Sequence, residues 1–185
     1  MSKPLPTLSH LSILSIVASG SNAGKTTLIT QLLPELAKRH IRVSVIKHAH
    51  HLFDIDHPGK DSYNIREAGA VQTLVASGKR WALMTEMSRT PNFTDEADLT
   101  ELIKQINPAY ADMILVEGFK QAAIPKIEVY RPSVHESSIA DKDPNIIAIA
   151  SDTVLESALP VLDLNNIPAI ADFIIANVFL QRRDS

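Results

Sequence analysis

Ser19-Gly20-Ser21-Asn22-Ala23-Gly24-Lys25-Thr26-Thr27 is the stretch on which the reading of this chain turns. It follows the apolar run Leu11 to Ala18 and opens a segment, Thr26 to Arg39, in which Leu28, Ile29, Leu32, Leu33 and Leu36 recur at helical spacing. A strand, a turn of small residues and a helix are therefore expected in direct succession. In that arrangement successive backbone N–H groups and the positive end of the helix converge on one anion, while small side chains let the backbone come close to it. The residues Gly20, Ser21, Asn22, Ala23, Gly24, Lys25, Thr26 and Thr27 are the expected cradle of a nucleotide's phosphates. Lys25 would reach the β and γ phosphates, and the Thr26 hydroxyl would face a Mg²⁺ ion bridging them. The usual form of such a loop opens on glycine; here Ser19 holds that place with Gly20 directly behind it. Pro34 falls inside the helical pattern, where its missing N–H and its ring predict a kink or an interruption.

Working outward, the β-branched run Val43 to Lys47 predicts a second strand, and Val71 to Ala76 with Trp81 to Thr85 predicts a hairpin turning at Ser77 and Gly78. Helical spacing returns over Thr94 to Ile106, with Asp95 and Glu96 in its first turn. Met113 to Val116, Lys126 to Tyr130 and Ile146 to Ala150 read as further strands, and near-continuous apolar character suits strands buried on both faces. Strands alternating with helices imply an α/β fold with a largely parallel sheet. One strand ends in Glu117-Gly118. In an open parallel sheet, ligands gather at the carboxyl ends of the strands. That places Glu117 at the nucleotide edge as a second metal-site residue acting through water, or else as a strand-terminal ion pair. Asp112, at the opposite end of the strand, reads as a cap or a surface charge.

Four of the seven histidines fall between His48 and His57, in KHAHHLFDIDHPGKDSY. Three readings stay open for this segment. His50 and His51 with Asp54 and Asp56 offer transition-metal ligands, although their spacing matches no established ligand set. Alternatively the segment is a loop in which Asp56 or Asp61 helps to hold Mg²⁺ while Lys47, His48 and Lys60 meet an anionic ligand. The third reading is a solvated loop. Pro58 and Gly59 mark a turn, and Ser62 to Ala70 is then a short helix carrying Arg66.

Composition sets the outer limits. The chain has 185 residues and a formal charge of −3, so no whole-molecule field gathers nucleic acid or anionic membrane. With no cysteine, disulfides, thiolate metal sites and cysteine nucleophiles are excluded, and a reducing cytoplasm suits such a chain. Leu11 to Ala18 is too short to cross a bilayer, and Ile167 to Leu180, broken by Asp172 and Asn177, is shorter than the roughly 20 residues a membrane helix needs. It reads as a buried helix. No internal repeat or low-complexity tract is present, and residues 1–185 are expected to form one nucleotide-binding domain.

GSNAGKTTL, VIKHAHHLFDIDHPGKDSYNIREAGA, VASGKRWALMTE and ADMILVEGFK together resemble the MobB family, the adaptors of molybdopterin-guanine dinucleotide biosynthesis. The resemblance runs from about Ile13 through Arg131 and continues more weakly in IIAIASD and IPAIADFI. It implies a P-loop NTPase-type three-layer α/β fold with a β-hairpin extension, GTP and Mg²⁺ as ligands, weak GTP hydrolysis and a homodimer. It further implies partnership with the guanylyltransferase MobA, and leaves the molybdopterin intermediate as a candidate ligand. Matched to the family pattern, Gly20, Gly24, Lys25, Thr26 and Thr27 form the phosphate loop, Glu117 and Gly118 the acidic strand end, and Asp56, Gly59, Lys60 and Asp61 a loop whose Asp56 and Asp61 are metal candidates. Lys25 and Glu117 are the expected catalytic pair. The NKxD guanine signature is absent; Asp152 in AIASD stands after a predicted strand and is either its substitute or a turn-forming aspartate. Hydrolysis in such proteins needs an oriented water and a cation at the γ phosphate, and the sequence does not choose among Arg66, Lys120 and Arg131 for the second. Two other functions fit a phosphate loop of this kind: a nucleotide-dependent kinase or ligase of the dethiobiotin synthetase type, and metal delivery through the histidine cluster.

Overall fold

The computed structural model describes residues 11–49, 53–91 and 93–181. The chain forms two compact units, one comprising Met1–His48 and Asp98–Ser185, the other Ala49–Ala97.

The first unit is built on six parallel strands: β1 (Ser12–Val17), β2 (Val43–Lys47), β5 (Met113–Glu117), β6 (Lys126–Val129), β7 (Ile146–Ser151) and β8 (Val161–Asp163). Their order is β2-β5-β1-β6-β7-β8, so β1 lies inside the sheet with β5 on one side and β6 on the other. Because side chains alternate across a strand, each central strand feeds two cores. Leu14, Ile16, Met113 and Leu115 pack beneath α1 (Lys25–Lys38) and α4 (Ile167–Ile174). Ile13, Ile114 and Val116 pack with Leu99 and Ile103 of α3 (Leu99–Lys104) on the opposite face. This is the three-layer α/β architecture, with every residue of β1, β5 and β6 buried.

Helix α1 does not stop at Pro34. It runs unbroken for 14 residues, with Leu28, Ile29, Leu32 and Leu36 buried on both sides of the proline. Each such buried side chain contributes about 1.5–3 kcal/mol, enough together to outweigh a lost hydrogen bond, and Pro34 itself lies on the exposed face. The helix expected over Thr94 to Ile106 is shorter. It begins at Leu99, because the Asp98 carboxylate accepts from the Thr100 N–H at 2.8 Å and fixes the start there, while the Thr94 hydroxyl donates to the Glu96 carbonyl. The chain-end helix is present as α4 followed by a π turn, Ile175–Phe179, and opens on the Asn166 side chain, which accepts from Ala169 N–H. Strand β8 is an addition to the expected set, three residues long and only partly buried. Among the described residues no helix is long and apolar enough to cross a membrane.

The second unit holds α2 (Asp61–Glu67) and the antiparallel hairpin of β3 (Gln72–Ala76) and β4 (Trp81–Thr85), paired from Gln72 with Thr85 to Ala76 with Trp81. Ser77 closes the turn: its N–H donates to the Arg80 carbonyl at 2.7 Å and its hydroxyl bonds Arg80 as well. Leu74, Val75, Trp81 and Leu83 are all exposed.

Candidate functional site: a phosphate loop with its acidic strand end

The loop between β1 and α1 is held from below and left open above. The Ala23 methyl is fully buried in the core under α1, which pins the middle of the loop. Asn22 and Gly24 both take positive φ, 61° and 102°. Asparagine tolerates that region and glycine occupies it freely, and the two residues turn the chain so that α1 starts at Lys25 with its first N–H groups facing the loop. The lack of a side chain at position 20 is required for a different reason. The His135 ring lies where a side chain would be, with a Cβ at Gly20 falling 2.5 Å from His135 Cε1.

Three lysines and one carboxylate surround this loop. Lys25 Nζ donates to the Gly20 carbonyl at 2.9 Å, so it curls back over the loop. Burial pushes its ammonium below the usual lysine value, Glu117 opposes that shift, and Lys120 and Lys47 add to it. Lys120 Nζ donates to the Ser19 carbonyl at 2.8 Å. On the β5 side, Thr26 Oγ1 donates to Glu117 Oε1 at 2.7 Å, joining two residues 91 positions apart in sequence. Lys47 Nζ donates to both Glu117 oxygens, at 2.9 and 3.0 Å, and approaches Thr26 Oγ1 at 3.2 Å. The strand ends therefore bring together Lys25, Thr26, Lys47 and Glu117, as parallel β1, β2 and β5 must when their carboxyl termini align: Lys47 and Glu117 are register partners. A hydroxyl and a carboxylate oxygen sharing one point suit a hard cation that keeps most of its ligands as water and phosphate, so the residues present fit Mg²⁺.

Gly118 follows with φ 94°, and a Cβ there would stand 3.0 Å from the His48 Cβ. Its carbonyl accepts from the buried Ser15 hydroxyl at 2.7 Å. His48 stacks on Phe119, ring centroids 4.4 Å apart. Position 118 is thus reserved for glycine by both backbone and neighbour.

Asp152 stands just beyond β7. Arg131 Nε donates to its Oδ2 at 2.7 Å, whereas Oδ1 is buried with no hydrogen-bond partner. Arg131 is bound up in that contact, so of the three cations left open by the sequence it is Lys120 that touches the phosphate loop. Arg66 belongs to the second unit, where its guanidinium meets Asp54 at 2.9 Å, Asp56 and Glu67 at 3.2 Å, and Glu86 at 3.5 Å, with Tyr63 beneath it. Asp56 accepts there through Oδ1 while its Oδ2 is buried without a partner; Asp61 opens α2 and is exposed. His50 and His51 lie outside the described residues, and among those described no group of three or more His, Asp or Glu is arranged to hold a metal ion. Asp112, at the far end of β5, pairs with Arg42 through both oxygens, as a surface charge would.

Residues missed by the sequence reading are His135 over Gly20 and the buried pair of Lys126 with Asp143. Neither carries a local signal, because each contact joins segments that meet only through the sheet.

A parallel sheet, a small-residue loop leaving its interior strand and an acidic end on the adjoining strand define a fold of the P-loop NTPase type, a nucleotide-binding fold. The family model described as molybdopterin guanine dinucleotide synthesis protein B, MobB, matches residues 13–152. The chain belongs to the MobB family. It is 46% identical over 159 residues to the molybdopterin-guanine dinucleotide biosynthesis adapter protein of Escherichia coli K12, covering 85% of this chain and 89% of that one. The adapter protein of Haemophilus influenzae of the same name is also 46% identical, over 83% of each chain. The crystal structure of Bacillus subtilis MobB superposes with a TM-score of 0.70 at 26% identity, over 91% of this chain and 98% of that one.

Proposed function

We propose that this protein is a GTP-binding adaptor with weak Mg²⁺-dependent GTPase activity that assists MobA in converting the molybdopterin cofactor to its guanine dinucleotide form. The observation that carries the reading is the meeting of Thr26 Oγ1 with Glu117 Oε1 beside the Lys25 loop, within a family whose relatives are named as adapters of this biosynthesis. Lys25 and the loop N–H groups bind the β and γ phosphates, and Thr26 and Glu117 hold Mg²⁺. When bound, the ion supplies charge neutralisation at the phosphates. Turnover is slow because, among the described residues, no side chain at the loop is a glutamine that orients water; of the three cations left open by the sequence, Lys120, on the Ser19 carbonyl, is the one that meets the loop. The guanine base is read by Asp152, whose buried Oδ1 is a ready acceptor and whose Oδ2 is oriented by Arg131. The exposed apolar hairpin supports a homodimer, since large apolar patches on a two-stranded ribbon gain most from burial against a second copy. The protein acts in the cytoplasm, with the molybdopterin intermediate as a further ligand.

Calorimetric titration with GTP and with ATP, each with Mg²⁺ and with or without MobA, tests this. GTP is expected to bind at least tenfold more tightly than ATP, Lys25→Ala to lose measurable binding of both with an unchanged circular dichroism spectrum, and labelled γ-phosphate to pass to no small-molecule acceptor. Wild-type GTP affinity in Lys25→Ala sinks the loop assignment, and several turnovers per second without a partner sink the adaptor reading.

A further inference from the structure

Thr26 and Glu117 carry, between them, the oxygen atoms of the proposed metal site, and those atoms are engaged by Lys47. Its ammonium lies 2.9 and 3.0 Å from the Glu117 oxygens and 3.2 Å from Thr26 Oγ1. The Thr26 hydroxyl spends its proton on Glu117, so it is the hydroxyl's lone pair, the one a cation would take, that meets Lys47. Glu117 is 11% exposed and Lys47 55% exposed in their side chains. The carboxylate is thus fixed and poorly hydrated, while the lysine stem is in solvent and free to swing away. A carboxylate so sheltered needs a counter-charge, and the ammonium stands against both Glu117 oxygens and Thr26 Oγ1 at once, the positions from which Mg²⁺ or its bound water would be held.

We propose that Lys47 is an internal stand-in for the divalent cation. In the nucleotide-free protein it neutralises Glu117 and occupies the Thr26–Glu117 site; when a nucleotide brings its polyphosphate and metal together, the metal displaces the ammonium, which moves to the incoming anion. Lys47 already bears electrostatically on Lys25, so a polyphosphate at the loop is within the field of both. The consequence is ordered loading. Metal alone competes against a tethered cation and binds weakly, whereas metal with nucleotide gives Lys47 a second anion to join. The inference rests on the metal role proposed for Glu117 and deepens it.

The test is a Mn²⁺ titration followed by electron paramagnetic resonance on the full chain without nucleotide. Lys47→Met, and Lys47→Gln as a variant that retains a hydrogen bond to Glu117, are expected to bind Mn²⁺ at least tenfold more tightly than wild type. The double variant Lys47→Met/Glu117→Gln is expected to return to the wild-type level. Equal Mn²⁺ affinity in wild type and both Lys47 variants overturns the stand-in role. A parallel titration with GTP present separates the two ideas. If Glu117→Gln lowers Mn²⁺ retention in the nucleotide complex while the Lys47 variants match wild type without nucleotide, only the stand-in role falls; if Glu117→Gln changes nothing with GTP, the metal role falls and takes this inference with it.

Discussion

A methyl group at position 20 would stand 2.5 Å from His135 Cε1, far inside contact distance, and the loop and the ring cannot both stay where they are. Overpacking of this kind costs about 1–3 kcal/mol, and here the strain falls on the backbone proposed to cradle phosphate. Gly20→Ala is therefore expected to weaken nucleotide binding by on the order of tenfold, about 1.4 kcal/mol, while His135→Ala in the same chain restores most of it. Calorimetry on the single and double variants checks this, and no recovery in the double variant would place the cause in the backbone at residue 20 instead. The glycines at 24 and 118 answer to their positive φ angles and carry a different expectation, since no second-site change relieves them.

At the scale of the element, β6 enters the sheet on a buried charge. Lys126, 1% exposed, donates to Asp143 at 2.5 Å and to the Lys120 carbonyl at 2.7 Å. Burial works to raise the Asp143 carboxyl, but hydrogen bonds from Lys126 and Asn145 outweigh it and hold the group below its ordinary 3.8. A carboxylate held below its unfolded value binds fewer protons in the folded state, so its stabilisation is complete above about pH 4 and is lost as pH falls through the depressed value. Asp143→Asn leaves Lys126 buried without its partner, and breaking such a pair costs about 3–5 kcal/mol. Urea unfolding at pH 7 measures that loss, and the variant's stability should depend less steeply on pH below 4 than that of wild type. The elements themselves were legible to different degrees for physical reasons. β1, β5 and β7 are buried on both faces and so print as apolar runs, while β8 is three residues at a sheet edge and leaves no pattern. Helix α3 was placed five residues early because acidic residues suit any first turn, whereas only the Asp98 carboxylate reaches an N–H.

For the whole molecule, most of the exposed large apolar side chains among the described residues belong to the second unit. A two-stranded hairpin is marginal in water by itself, and this one shows Leu74, opposite Leu83, and Trp81 to solvent. Replacing Trp81 and Leu83 together by serine is expected to shift the sedimentation of the protein from dimer to monomer while leaving nucleotide affinity within twofold. A monomeric wild type would remove the hairpin's proposed role. The phosphate loop and Glu117 were legible because strand, loop and helix are local. The partners of Glu117, Gly20 and Asp152 were not, because they arrive from segments that only the sheet brings near. Arg66 is a case in point: open to a role at the γ phosphate in sequence, it is held by four carboxylates in the folded unit.

The interior position of β1 has a consequence for how the protein comes into being. Both neighbours of β1 follow it late in the chain, and the Ser15 hydroxyl must find a carbonyl 103 residues downstream at Gly118. Made well before β5 and β6, β1 lacks both of its sheet neighbours until those strands have emerged from the ribosome. The loop thus takes its binding shape only once long-range closure is achieved, a slow class of folding event. A nucleotide bound as proposed would then meet only the finished sheet and take no part in the early steps of folding.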